Sequence, residues 1–152
     1  MSSRTLHLKR IDGSNWEEAI QLKVREDQKS FVASNLYSIA QVQFLEDFEA
    51  KGIYKEDTMI GFALYGIDKD DSHYWIYRLM IDQNHQGKGS GTEALRLIIN
   101  DIEHQNTEGR PCIMIGYEPD NNGARHVYKK AGFAETEMAS WGEQLAKYDL
   151  TH

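Results

Sequence analysis

An α/β domain spanning residues 1–152, with a mixed and mostly antiparallel sheet flanked by helices in the order βα(α)βββαβαββ, is what this sequence predicts. Three observations carry that expectation. Short runs place apolar residues at every second position, as a half-buried strand requires. Other segments place them at helical spacing. One apolar strand is followed by a helix and then a second apolar strand, the pattern of a right-handed parallel crossover. At this length folding buries roughly two-thirds of the surface of the unfolded chain, enough for a core that needs no staples.

The elements follow in order. Thr5 to Ile11 sets Leu6 and Leu8 between polar neighbours, a strand exposed on one face. Ser14-Asn15-Trp16-Glu17 matches a capping box, in which Ser14 and Glu17 would satisfy the orphan amides of a helix running to about Val24. After the irregular polar stretch Arg25 to Asn35, a second helix is expected from about Ser38, with Ile39, Val42, Phe44, Leu45 and Phe48 as its apolar stripe and Gly52 as its end. Ile53 to Lys55 and Met59 to Tyr65 read as strands joined by Glu56-Asp57, and the polar loop Asp68 to Ser72 leads to the aromatic strand Tyr74 to Ile81, completing a meander. A Gly-rich turn opens a helix from about Ser90 to His104, which carries Ala94, Leu95, Ile98, Ile99 and Ile102 on one face. Cys112 to Tyr117 is an apolar, buried strand. Asn121 begins a short helix with Ala124, Val127, Tyr128 and Ala131 on one face, and Gly132 occupies the left-handed C-cap. Phe133 to Met138 and Glu143 to Asp149 are the last strands.

Composition narrows the function. Hydrophobic residues make up 40% and charged residues 27%, with two Pro, which argues against a disordered or linker-dominated chain. The lone Cys112 excludes an intrachain disulfide and a Cys-based zinc site, and Met1-Ser2-Ser3-Arg4-Thr5 leads into no apolar run of signal-peptide length, so a cytoplasmic location is expected. No stretch approaches the ~18 apolar residues of a membrane span. Lys plus Arg is 17 against 24 for Asp plus Glu, so the net charge of 17 − 24 = −7 has the wrong sign for a partner made of nucleic acid and the right one for concentrating a cationic small molecule.

Gln86-Gly87-Lys88-Gly89-Ser90-Gly91 lies between a strand and a helix, where backbone amides converge on the positive end of the helix. Such a turn suits a phosphate, with glycines allowing close approach and Lys88 adding a cation; a strand-to-helix turn that merely needs Gly is the plainer alternative. A P-loop is excluded because Gly91 is followed by Thr92 and no Lys, and a dinucleotide fingerprint because the spacing is Gly-x-Gly-x-Gly.

The segment Leu79 to Gly91 resembles the acetyl-CoA signature of the GCN5-related N-acetyltransferase superfamily, Gln/Arg-x-x-Gly-x-Gly/Ala, with Gln86, Gly89 and Gly91 in the defining places. A second family pattern, Asn-x-x-Ala-x-x-φ-Tyr-x-x-x-Gly-Phe, is matched by Asn121, Ala124, Val127, Tyr128, Gly132 and Phe133. The order of elements is also that of the family, so the resemblance covers nearly the whole chain.

The resemblance implies that the strands ending at Ile81 and Tyr117 splay apart and admit pantetheine between them. Main-chain groups around Met80 and Ile81 would pair with it, and an amide near Leu79 or Met80 would polarise the thioester carbonyl, an oxyanion-hole role. Residues Gln86, Gly87, Lys88, Gly89, Ser90 and Gly91 would hold the pyrophosphate, and Asn121 would meet the pantetheine arm. Tyr128 matches the general acid that protonates the departing thiolate, a task open to a phenol of pKa about 10; its plain alternative is a core tyrosine. No metal is implied. The base that deprotonates the amine is left open among Glu26, Asp27 and Glu118, each of which also reads as a solvated surface carboxylate. His85 and His126 stand beside the motifs at positions outside the family pattern, and Cys112 reads as core.

Asp27 to Asn35, with Trp75 and Arg78, resembles the bacterial spermine/spermidine (diamine) N-acetyltransferases, which implies a polyamine substrate and a cytoplasmic homodimer. Glu26, Asp27 and Trp75 are the candidate substrate residues, and Trp16, Tyr37 and Tyr77 are further aromatic faces for an ammonium. Other expectations for the acceptor are a protein N-terminus or an aminoglycoside, and a module that binds acetyl-CoA without turnover is the alternative of a different class.

Overall fold

A computed structural model describes residues 5–29 and 33–151. Seven strands form one sheet in the order β1-β2-β3-β4-β5-β7-β6. They are β1 (Leu6–Arg10), β2 (Phe48–Lys55), β3 (Thr58–Ile67), β4 (Tyr74–Ile81), β5 (Cys112–Tyr117), β6 (Ala134–Met138) and β7 (Gln144–Asp149). The helices are α1 (Trp16–Gln21), α2 (Asn35–Val42), α3 (Ser90–Gln105) and α4 (Asn122–Ala131). The chain thus runs βααβββαβαββ. Of the neighbouring strand pairs only β4 and β5 are parallel, joined through α3 as the sequence predicts.

The centre of the sheet, β3 above all, is buried on both faces because helices cover both, while the edge strand β6 is exposed. Side chains alternate across a strand, so Ala63 and Tyr65 of β3 join one core with Leu95, Ile98 and Ile102 of α3, while Phe62 and Leu64 join a second with Ala19 of α1 and Ile39 and Val42 of α2. Each buried Leu, Ile or Phe contributes roughly 1.5–3 kcal/mol relative to an exposed position, which is why the 16-residue α3 with its apolar stripe anchors the crossover.

Three local expectations are corrected. The capping box at Ser14 and Glu17 does not form: Ser14 Oγ donates to Asp12 Oδ1 at 2.7 Å, Asn15 stands at the N-cap, and α1 ends at Gln21 rather than near Val24. The second helix starts at Asn35, where Ser34 accepts from the Tyr37 amide at 3.1 Å, and stops at Val42. Phe48 and Gly52 are not helical. Asp47 takes a positive φ of 58° and its carbonyl accepts from the Ile67 amide at 3.1 Å, so the chain turns into β2, which pairs along most of β3. Phe44, placed in the apolar stripe by spacing, is exposed.

One irregularity positions the site. Ile76 faces Tyr65 across the β3–β4 ladder and Arg78 faces Leu64, so Tyr77 is an extra residue in β4. A bulge of this kind bends its strand and increases its twist. Pairing with β5 ends at the same place, with Ile76 opposite Ile115 as the last pair. From Tyr77 to Ile81 the β5-facing edge of β4 therefore has no strand partner among the described residues.

Candidate active site

Two clefts open where β4 and β5 part. The first, of about 530 Å³, runs along Leu79, Met80 and Ile81 to the loop Gln86, Gly87, Gly89, Ser90 and Gly91, with Val127 and Tyr128 of α4 opposite. Its loop is held by side chains. Gln86 Nε2 donates to Ile81 O at 2.8 Å and to Gln28 Oε1 at 2.9 Å, and buried Asp82 accepts from the Lys23 amide at 2.9 Å and the Asn84 amide at 3.2 Å. Gly87 and Gly89 take φ values of 81° and 78°, a region closed to most side chains, and nothing stands within 4 Å of where a Cβ would project from either. Gly89 caps α3, so the first amides of a 16-residue helix face an open, glycine-lined space. Lys88 is exposed and lies outside the lining.

The second cleft, of about 510 Å³, is lined by Tyr77, Arg78, Tyr117, Glu118, Trp141 and Glu143 over a floor containing Gly116. Arg78 is drawn to one wall: its Nη1 donates to Tyr77 O at 2.9 Å, its Nη2 to Gln41 Oε1 at 3.0 Å, and its guanidinium lies 5.8 Å from the Tyr37 ring centre. Its Nε is buried without a partner among the described residues, and burial lowers its pKa from the usual value. Tyr77 donates to Asp68 Oδ2 at 2.5 Å.

Leu79, Asn121, Ala124 and Tyr128 line both clefts and mark their junction. Asn121 is held as the N-cap of α4, its Oδ1 accepting from the Ala124 amide at 3.1 Å. Tyr128 is buried, with Tyr117 and Phe133 rings against it at 5.3 and 6.0 Å between centres. Burial first, then the negative fields of Tyr117 and Glu143, push its pKa well above the ordinary tyrosine value, so it carries its proton throughout the neutral range.

The cofactor-side residues read from sequence thus converge, Lys88 excepted. The substrate candidates do not: Glu26 pairs with Lys29 at 2.8 Å, Asp27 with Arg25 at 3.3 Å, and Trp75 donates to Asp71 at 2.9 Å, all outside both clefts. Of the stretch Asp27 to Asn35, Ser30, Phe31 and Val32 lie outside the described residues. Cys112 is buried in neither cleft, and burial pushes its thiol pKa up, the opposite of a reactive thiolate. Glu118 does line the second cleft. Gly116, Tyr117, Trp141 and Glu143 were not singled out by sequence, and no local pattern marks them, because they come together only through the splay of the sheet.

Acetyl-CoA fits the first cleft on three counts: a glycine-lined helix start for its phosphates, a free strand edge for its amides, and a proton-bearing hydroxyl at the far end. Two clefts that meet at Tyr128, one of them opening on a glycine-lined helix start, are the arrangement expected of an acetyl-CoA-dependent N-acetyltransferase. The chain belongs to the acetyltransferase (GNAT) family, whose model matches residues 15–133. It is 26% identical over 137 residues to the spermine/spermidine N(1)-acetyltransferase of Bacillus subtilis (strain 168), across 85% of this chain and 88% of that protein. Among solved structures, the aminoglycoside acetyltransferase AAC(6')-Ib in complex with acetyl-CoA superposes with a TM-score of 0.78 at 15% identity, covering 95% of this chain and 93% of the other. The ribosomal-protein-S18-alanine N-acetyltransferase of Escherichia coli does so with 0.72 at 16% identity, covering 97% and 96%. At these identities the structural likeness is one of fold. No helix among the described residues is long and apolar enough to cross a membrane.

Proposed function

We propose that the protein acetylates a terminal primary amine of a polyamine, spermine or spermidine, with acetyl-CoA held in the first cleft and the amine in the second. The observation that carries the acceptor is the lining of the second cleft, where the carboxylates of Glu118 and Glu143 stand among the aromatic rings of Tyr77, Tyr117 and Trp141. Carboxylates attract an ammonium by charge and ring faces by their quadrupole. Arg78, the one cation of that lining among the described residues, spends its outer nitrogens on Tyr77 and Gln41. The likeness to the spermine/spermidine N(1)-acetyltransferase of Bacillus subtilis and the net charge of −7 support the same substrate.

Acetyl-CoA supplies the acyl group when bound. The amides at the start of α3 take its pyrophosphate, with Gly87 and Gly89 letting the backbone close on it. Main-chain groups of Met80 and Ile81 pair with the pantetheine, an amide at Leu79 or Met80 polarises the acyl carbonyl, and Asn121 borders the arm from α4. Tyr128 delivers a proton to the leaving sulfur.

The experiment compares initial rates of thiol release with spermine, spermidine, an aminoglycoside and a short peptide at equal concentration. The expected order puts the polyamines first. A peptide or aminoglycoside turned over at least about tenfold faster, roughly 1.4 kcal/mol in transition-state stabilisation, overturns the polyamine and leaves the acetyltransferase standing.

A further inference from the structure

We infer that Glu143 is the catalytic residue that takes the proton lost by the acceptor nitrogen, and that Gly116 and Trp141 exist at their positions to put its carboxylate there. This rests on the two-cleft reading and on no particular amine.

Glu143 precedes β7, and its half-buried side chain turns into the acceptor cleft. Trp141 Nε1 donates to its Oε1 at 2.8 Å, which fixes the carboxylate from the solvent side. The same oxygen lies 2.8 Å from where a Cβ on residue 116 would stand, closer than Cβ atoms approach, so only glycine leaves it room over the cleft floor. Gly116 takes no positive φ, so its backbone does not call for glycine; close approach does. The carboxylate is also near enough to the junction to act electrostatically on both of its walls, raising the pKa of Tyr128 and opposing the fall of Arg78. Glu118 shares the cleft, but has no comparable fixing contact among the described residues.

The step balances. The substrate ammonium loses one proton to solvent, and the nitrogen lone pair forms the N–C bond to the acyl carbon. The nitrogen's second proton passes to the Glu143 carboxylate, directly or along one water. The C–S electron pair leaves on sulfur, which takes the Tyr128 proton. Glu143 then returns a proton to the Tyr128 phenolate through solvent. Amide and thiol are the products, and no other reactant is consumed.

The test compares wild type, Glu143→Gln, Glu143→Ala and Gly116→Ala with the fastest of the four acceptors above and with hydroxylamine, which is small enough to enter any acceptor cleft. Glu143→Gln should lower kcat/KM at least about 100-fold, the low end for a positioned base, with CoA affinity by calorimetry within about twofold. Formate should restore the rate of Glu143→Ala at least about tenfold and leave wild type unchanged, a rescue that a structural role would not allow. Gly116→Ala, which keeps the carboxylate but displaces it, should lose at least about tenfold with CoA affinity intact. If Glu143→Gln keeps a third or more of the wild-type rate with both acceptors, or formate fails to rescue Glu143→Ala while CoA binding shows it folded, Glu143 is not the base. A change in which amine is fastest overturns the polyamine reading alone.

Discussion

The rings of Tyr117 and Tyr128 lie 5.3 Å apart at 44°, and their hydroxyls have opposite fates. Tyr117 donates to Glu135, which Arg125 also holds at 2.6 Å, whereas the Tyr128 hydroxyl meets no hydrogen-bond partner among the described residues and stands at the junction of the two clefts. One hydroxyl closes a network with Glu135 and Arg125, and the other is left open at the junction, as the proposed proton donor must be.

Tyr128→Phe is therefore expected to lower kcat by about 10² to 10⁴, with acetyl-CoA affinity nearly unchanged, because only the hydroxyl is lost. Tyr117→Phe should cost less than about tenfold in rate, its hydroxyl being spent on Glu135. Steady-state rates beside calorimetric CoA titrations check both, and a Tyr128→Phe variant within about threefold of wild type would make the residue structural.

Gly89→Glu should abolish measurable CoA binding. A side chain at φ 78° is strained, and a carboxylate projecting from that cap into the open space in front of the α3 amides would sit at the proposed phosphate site. Lys88→Ala, at an exposed position outside the cleft lining, should weaken affinity by no more than about threefold, the scale of a screened surface charge. Equal losses in the two variants would mean that charge, and not the glycine cradle, holds the ligand.

The cofactor side was legible in the sequence because its parts are contiguous. Gln86 to Gly91 build a glycine-lined turn at the start of α3, and Asn121 to Gly132 cap, face and end one helix, so their spacing carries the geometry. The bounds of β4 and β5 were legible for the same reason, as apolar runs closed by polar turns. The acceptor side was not. Tyr77, Gly116 and Glu143 come from three segments, and what joins them is a bulge in β4 and the end of one strand pairing. The boundary of α2 was misread because Ile39, Val42, Leu45 and Phe48 keep a three-residue period; pairing of β2 with the long β3 overrides it from Phe48 onward.

Asn121 carries two roles that substitutions can separate. Asn121→Ala removes the oxygen that accepts from the Ala124 amide and should cost about 1 kcal/mol of stability, with a higher KM for acetyl-CoA. Serine caps about as well as asparagine, so Asn121→Ser should keep the melting temperature and still raise that KM. If Asn121→Ser restores both, the residue is a cap alone.

Stability should fall steeply at alkaline pH, and buried tyrosines set where. Tyr65, 3% exposed, donates to Asp101 at 2.5 Å; burial first, then that bond, raises its pKa far beyond the ordinary value. Tyr128 is raised mainly by burial, and Tyr117 is pushed up to about 12 by burial and by its bond to Glu135. In the unfolded chain all three titrate near the ordinary value of about 10. Below that pH both states are protonated and the stabilisation is complete. Above it the unfolded chain ionises while the folded one holds its protons, so stability drains away by about 1.4 kcal/mol per pH unit for each such group, ending for Tyr117 near its folded value of about 12. Tyr65→Phe gives the discriminating comparison. At neutral pH it should be less stable by about 1 kcal/mol, since Asp101 loses its tyrosine donor and keeps Gln105 at 3.0 Å and Lys51 at 3.5 Å. From about pH 10 upward its melting temperature should fall less steeply than that of wild type, because the variant has one fewer proton to lose on unfolding. Parallel melting curves for the two proteins across that interval would show that Tyr65 ionises as readily folded as unfolded, and its buried bond to Asp101 would then have to be abandoned.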